Sequence, residues 1–240
     1  MLRTVFALLV ATLDTLVVAP LVTIIGLMRS DASSIDRLIR LWARIIVRAA
    51  GLDLSAEGAG RLDPSRRYIV VANHGSYLDI PVLFVAIPQP LRFLAKKSLF
   101  SIPIFGWGLR AAGFVPVDRK NRSRAIASFD QAAGRIQKGN SIVVFPEEGR
   151  SRDGSMRPFQ RGAFLLALKS GLPLVPVAII GTFDALPPAR LSLRPGPVHV
   201  RVGEPIETRG LSIRQKDELM QTTRGRIEQM IGASGASGAS

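Results

Sequence analysis

Apolar residues dominate the chain at its start and then break into short runs. Residues 4–28 (TVFALLVATLDTLVVAPLVTIIGLM) hold one charge, Asp14, in 25 positions, long enough for a tilted helix to cross a hydrocarbon core. A cleaved signal peptide, with Arg3 as its basic start, is the alternative to a membrane segment, but the stretch exceeds a usual signal's apolar region and no clear small-x-small site closes it. Asp14 and Pro20 leave a re-entrant or interfacial placement open, because a carboxylate in mid-bilayer is costly. Over residues 33–51 the pattern turns amphipathic. Ile35, Leu38, Ile39, Trp42, Ile45, Ile46 and Ala49 recur at helical spacing, with Ser33 or Ser34 as cap, and Arg37, Arg40, Arg44 and Arg48 form the opposite face. Such a helix suits an anionic lipid interface; packing on a protein core is the alternative, and the preceding apolar segment favours the lipid.

From residue 51 short apolar runs alternate with helical stretches, as in an α/β domain. Strands are expected at 68–72 (YIVVA), 141–145 (SIVVF), 174–180 (LVPVAII) and 198–202 (VHVRV), the first three apolar enough to be covered on both faces. Helices are expected at 78–87, 122–138, 159–170 and 213–231. The chain divides into anchoring helices (1–50), a catalytic-size domain (51–231) and a flexible Gly/Ala/Ser tail (232–240).

The 240 residues carry a net charge of +14 from 26 arginines and 6 lysines against 18 acidic residues, which implies an anionic partner. Arginine suits phosphate held in fixed geometry, and two Trp and two Tyr offer little for stacking bases, so lipid or phosphate ester is favoured and nucleic acid is not. The lack of cysteine excludes thiolate chemistry, and two histidines argue against a multi-histidine metal centre.

Asn73-His74-Gly75-Ser76-Tyr77-Leu78-Asp79 directly follows the first strand, where open α/β sheets place ligands. On a continuous helix His74 and Asp79 would point about 140° apart. They meet only if His74 lies in the loop and the helix starts near Ser76, with Pro81 in its first turn. Asp79 would then fix the tautomer and leave the other imidazole nitrogen as a general base. No Gly-x-Ser-x-Gly elbow supplies a nucleophile, so direct transfer to a substrate hydroxyl is favoured. His199, alternating with valines, shares the wetter face with Arg201. Two further constellations follow strands or apolar runs: Phe145-Pro146-Glu147-Glu148-Gly149-Arg150-Ser151, and residues 113–119, which end on Arg119.

In this order these motifs resemble the 1-acylglycerol-3-phosphate O-acyltransferase (lysophosphatidic acid acyltransferase) family of glycerolipid acyltransferases. Its Asn-His-x4-Asp is matched by Asn73, His74 and Asp79, its Gly-x-[Ile/Val]-x-[Val/Ile]-[Asp/Asn]-Arg by residues 113–119, and its Phe-Pro-Glu-Gly-Thr-Arg-Ser by Phe145, Pro146, Glu147, Arg150 and Ser151. Leu174 to Ile179 with Pro176 looks like its proline-bearing strand, and Phe93-Leu94-Ala95-Lys96-Lys97 is similar to its intervening block. Glu148 and Gly149 depart from the usual Gly-Thr and put the head group in question.

The resemblance implies a mixed, largely parallel sheet flanked by helices, behind an N-terminal helical membrane-anchoring motif. It implies that His74, oriented by Asp79, deprotonates the sn-2 hydroxyl of lysophosphatidic acid, which attacks an acyl-ACP or acyl-CoA thioester. It places Arg150 and Arg119 on the phosphate, Glu147 on the glycerol, and Gly149, Ser151 and Asn73 on the substrate side. The backbone amides of Gly75 and Ser76, at the expected helix start, are candidate oxyanion donors. A thioester is already activated, so no metal or cofactor is expected. The basic cluster after residue 28 places the catalytic domain on the cytoplasmic face of the inner membrane. Another lysolipid acceptor, such as a lyso-ornithine lipid or lysophospholipid, would use the same base. A non-catalytic protein binding anionic membranes is the other class that the charge allows.

Overall fold

Among the described residues, four of seven strands lie where the apolar runs place them. The computed structural model describes residues 1–28, 32–118, 134, 139–147, 149–188, 190 and 192–236. The strands are β1 (Leu52–Glu57), β2 (Ile69–Ala72), β3 (Leu91–Lys96), β4 (Val115–Val117), β5 (Ser141–Val144), β6 (Leu174–Ile180) and β7 (Gly196–Val202). They form one sheet in the order β1-β7-β6-β2-β5-β3-β4. Every neighbouring pair is parallel except β6 and β7, so the sheet is mixed and mostly parallel, as expected.

The central strands are apolar on both faces because both are covered. Val70 and Val143 join one apolar cluster with Ile39, Val82 and Leu83, while Ile69, Val71 and Ile142 join another with Phe164 and Ile227. The first is roofed by α1 (Leu2–Leu27), α2 (Ala32–Ala50), α3 (Asp79–Ala86) and α4 (Phe105–Ala111); the second by α5 (Gly162–Ser170) and α7 (Lys216–Ala236), with a single turn, α6 (Thr182–Ala185), after β6. The strands that periodicity missed are atypical. β1 is an edge strand with one buried residue, Leu52, and the apolar run of β3 is interrupted by Arg92. The helix expected over 122–138 lies outside the described residues, apart from Gly134. The expected tail is helical as far as Ala236.

The amphipathic stripe of α2 faces protein. Ile35, Ile39, Ala43, Val47 and Ala50 are buried, and α2 packs against α1 and α3. Its arginine row is divided. Arg40 donates to the carbonyls of Phe84 and Ile87 at 2.8 Å, Pro88 at 2.5 Å and Gln89 at 2.7 Å, satisfying acceptors that the C-terminus of α3 leaves open. Arg92 of β3, its side chain 4% exposed, meets Asp36 of α2 at 2.6 Å. The stripe expected to face lipid is covered by protein instead: the Asp36–Arg92 pair holds the helix to β3, and Arg40 holds it to the end of α3.

Helix α1 differs. Thr4, Val18, Ala19 and Val22 are buried, but Phe6, Leu9, Leu13, Val17, Leu21 and Ile24 stand exposed along the outer side. It is tied to the domain at both ends. The Leu193 N–H donates to Thr4 Oγ1 at 3.0 Å, and a Cβ placed on Gly26 would sit 3.0 Å from Ala111 Cβ. At ~1.5 Å per residue, the helix lies along the body of the protein for nearly its full length.

Candidate active site

Strand β2 ends at Ala72, and the next residue continues its ladder with a side chain. Asn73 Nδ2 donates to the Ile179 carbonyl at 2.8 Å, and Asn73 Oδ1 accepts from the Ile179 N–H at 2.7 Å. The amide thus pairs with β6 as a backbone would, and the assignment of Asn73 to substrate gives way to this structural pairing. The backbone of His74 is held from the other side: its N–H donates to Glu147 Oε1 and its carbonyl accepts from the Ser151 N–H, both at 2.8 Å.

Helix α3 starts at Asp79, later than the expected start near Ser76, with Pro81 in its first turn where no N–H is required. Asp79 is fully buried. Its Oδ2 lies 2.7 Å from His74 Nδ1 and accepts the Gly75 and Ser76 N–H groups at 2.9 Å each. Its Oδ1 accepts from the Thr182 hydroxyl. Four donors converge on one carboxylate, which holds the charge in place and gives His74 a fixed partner. The imidazole stacks on Phe145, ring centres 4.0 Å apart at 12°, and is 13% exposed. Nδ1 is committed to Asp79, and Nε2 is the ring nitrogen that Asp79 does not hold.

This arrangement corrects the expected oxyanion donors. The Gly75 and Ser76 amides are spent on Asp79. The Ser76 hydroxyl is spent too, donating to the Leu186 carbonyl at 2.8 Å and accepting the Leu78 N–H at 3.2 Å.

The segment after β5 folds against the same loop. Glu147 is 3% exposed; besides the His74 N–H it accepts the Arg157 N–H on Oε2 at 2.7 Å. Burial pushes its carboxyl above the usual carboxylate range, and the two backbone donors pull against that. With a backbone donor on each oxygen and 3% exposure, Glu147 clamps two loops together and is turned inward, away from the open surface. Ser151 is likewise turned inward, its hydroxyl 2.9 Å from the Gly154 N–H and 3.2 Å from Asp153 Oδ1. At Gly149 a Cβ would fall 2.7 Å from Arg157 Nη1, the movable end of a long side chain, so the guanidinium passes close by this backbone. Arg150 stays on the site side: its guanidinium carbon lies 3.5 Å above the centre of the Tyr77 ring. Arg119 and Glu148 lie outside the described residues.

Beside the site is an apolar cavity of about 550 Å³, open on one side and lined by residues of α1 to α4 and β3. Ala7, Ala11, Trp42, Phe84 and Phe93 are in its wall, and Tyr77, from the His74 loop, lines it as well. Trp42 Nε1 donates to Thr15 Oγ1 at 2.9 Å, joining α2 to α1 across it. Thr182 and Tyr77 were not singled out by the sequence. His199, expected on a wetter face, is half-buried and 2.6 Å from Ser55 Oγ, away from this site.

Comparisons with known proteins agree with the geometry. The acyltransferase family model matches residues 53–180. The chain is 36% identical over 171 residues to a chloroplastic 1-acyl-sn-glycerol-3-phosphate acyltransferase of Brassica napus, covering 70% of this chain and 49% of that protein. The Saccharomyces cerevisiae enzyme of that name is 32% identical over 195 residues (80% and 63%), and the human alpha enzyme 33% over 177 residues (73% and 62%). The chain thus spans about half the length of the Brassica relative and less than two thirds of the other two. The crystal structure of the 1-acyl-sn-glycerophosphate (LPA) acyltransferase PlsC from Thermotoga maritima superposes with a TM-score of 0.84 at 26% identity, covering 98% of this chain and 95% of that one. With its ordered motifs, its sheet and a family model matched across both His74 and Glu147, the chain belongs to the acyltransferase family.

Proposed function

We propose that the protein moves a fatty acyl group from a thioester, acyl-ACP or acyl-CoA, to the sn-2 hydroxyl of lysophosphatidic acid, giving phosphatidic acid. The observation behind this reading is the 2.7 Å contact of His74 with a buried carboxylate next to a chain-sized apolar cavity. His74 Nε2 takes the hydroxyl proton as the oxygen attacks the thioester carbon. Asp79 stabilises the imidazolium that forms. The tetrahedral oxyanion collapses, the C–S bond breaks, and the proton on His74 passes to the departing thiolate. The thioester needs no further activation, so the step uses no metal or cofactor.

The cavity suits the acyl chain, each methylene taken from water contributing about 0.8 kcal/mol, and Arg150 suits the acceptor's phosphate. Mass spectrometry of products from purified protein, offered several lysolipids with each thioester, tests the reading. Phosphatidic acid is expected as the main product and its loss in His74→Ala; turnover retained by that variant removes His74 as base, and preference for an ornithine-bearing acceptor changes the substrate.

The outer face of α1 supports a membrane-bound enzyme, and the attachment of both helix ends supports a placement in the plane of the interface rather than across the bilayer. The double replacement Leu9→Glu and Leu13→Glu, on exposed positions, is expected to abolish co-sedimentation with anionic vesicles and to leave the melting temperature within a few degrees. Unchanged sedimentation would place the membrane contact elsewhere.

A further inference from the structure

Arg150 and Tyr77 come from different motifs, yet their side chains form one unit. The guanidinium carbon stands 3.5 Å above the ring centre, a stacking distance, and the backbone beside Arg150 is fixed to the His74 loop by the Ser151 N–H on the His74 carbonyl at 2.8 Å. Stacking occupies the face of a guanidinium and leaves its edge N–H donors for an oxyanion. Among the described residues Arg150 Nη1 is buried without a hydrogen-bond partner, and the ring is the contact that lies against the group's face. Tyr77 itself is 61% exposed, more than packing alone requires of an aromatic side chain, and its ring also lines the apolar cavity. It therefore stands where an acyl-bearing part and a charged part of one substrate would divide.

We propose that Tyr77 is a positioning residue for the acceptor's head group: its ring holds the Arg150 guanidinium flat beside His74, so that a phosphate monoester is gripped at the mouth of the cavity. This rests on the reading of Arg150 as the phosphate ligand. Removing the platform returns Arg150 to many rotamers and costs binding of the phosphate more than the chemical step.

The test is steady-state kinetics of the full-length protein in lipid-detergent micelles, with lysophosphatidic acid as varied acceptor. Tyr77→Leu is expected to raise KM about 2- to 30-fold, the span of a guanidinium-ring contact from exposed to desolvated, with a smaller change in kcat. Tyr77→Phe and Tyr77→Trp, which keep the face, are expected to stay within about twofold of the parent, and the Leu effect should vanish in an Arg150→Ala background. A Phe or Trp variant as impaired as the Leu variant overturns the proposal even if the Leu protein does not fold. So does a Leu effect that persists undiminished without Arg150. An Arg150→Ala protein with unchanged KM removes the phosphate reading itself, a result separate from either of these.

Discussion

Asp79→Asn is expected to lower kcat/KM about 10²- to 10⁴-fold, the usual contribution of a positioned general base, in a protein that remains folded. The four donors explain both halves of that expectation. Three of them, from His74, Gly75 and Ser76, meet Oδ2, and an amide oxygen can occupy that position. The amide nitrogen then faces the Thr182 hydroxyl, which can rotate to accept. The geometry survives and the negative charge does not, so the imidazolium formed during proton transfer loses its counter-charge. Asp79→Ala removes the acceptor as well, and each donor stranded in the interior costs about 1–3 kcal/mol. Kinetics and thermal melts of the two variants in parallel separate these effects. An Asn variant within tenfold of the parent would mean that His74 does not depend on that charge, and equal melting temperatures for Asn and Ala would mean that the donor cluster contributes nothing to the fold.

The largest stability loss outside the site is expected from Asp36→Ala, about 3–5 kcal/mol, because the Arg92 guanidinium stays buried without its counter-ion. Its remaining bond, to the Leu91 carbonyl at 2.8 Å, does not neutralise the charge. Denaturant unfolding in detergent measures the loss, and a change below 1 kcal/mol would show that the pair is worth no more than a surface contact. The double replacement Asp36→Leu with Arg92→Met is expected to recover most of it, since a buried pair gains little over well-packed apolar side chains.

These two groups of residues also mark what the sequence could and could not tell. His74 and Asp79 sit in one seven-residue motif after an apolar strand, so their meeting followed from helix geometry. Thr182 is 103 positions from Asp79 and becomes its neighbour only because β6 lies beside β2, an ordering that no local pattern records. The periodicity of α2 showed correctly that one face is apolar, but periodicity is silent about what covers that face; Asp36, Arg40 and Arg92 decided for the sheet. For Gly75 and Ser76 the amides do lie just before a helix, as expected. The Asp79 side chain folds back onto them, and that local competition for donors is invisible without coordinates. Asn73 and Glu147 belong to the expected motifs, yet their buried polar atoms serve backbone groups, the commoner fate of such atoms inside a protein.

The wall of the apolar cavity is built in large part from the first fifty residues: Ala7, Ala11 and Thr15 from one helix, Ile39, Trp42 and Ile46 from the next. The part of the chain that would grip lipid is thus the same part that lines the cavity proposed for the fatty chain. On the proposed function, a fragment trimmed of its first fifty residues would lose much of that wall, so attachment and turnover would be inherited, lost and engineered as one trait.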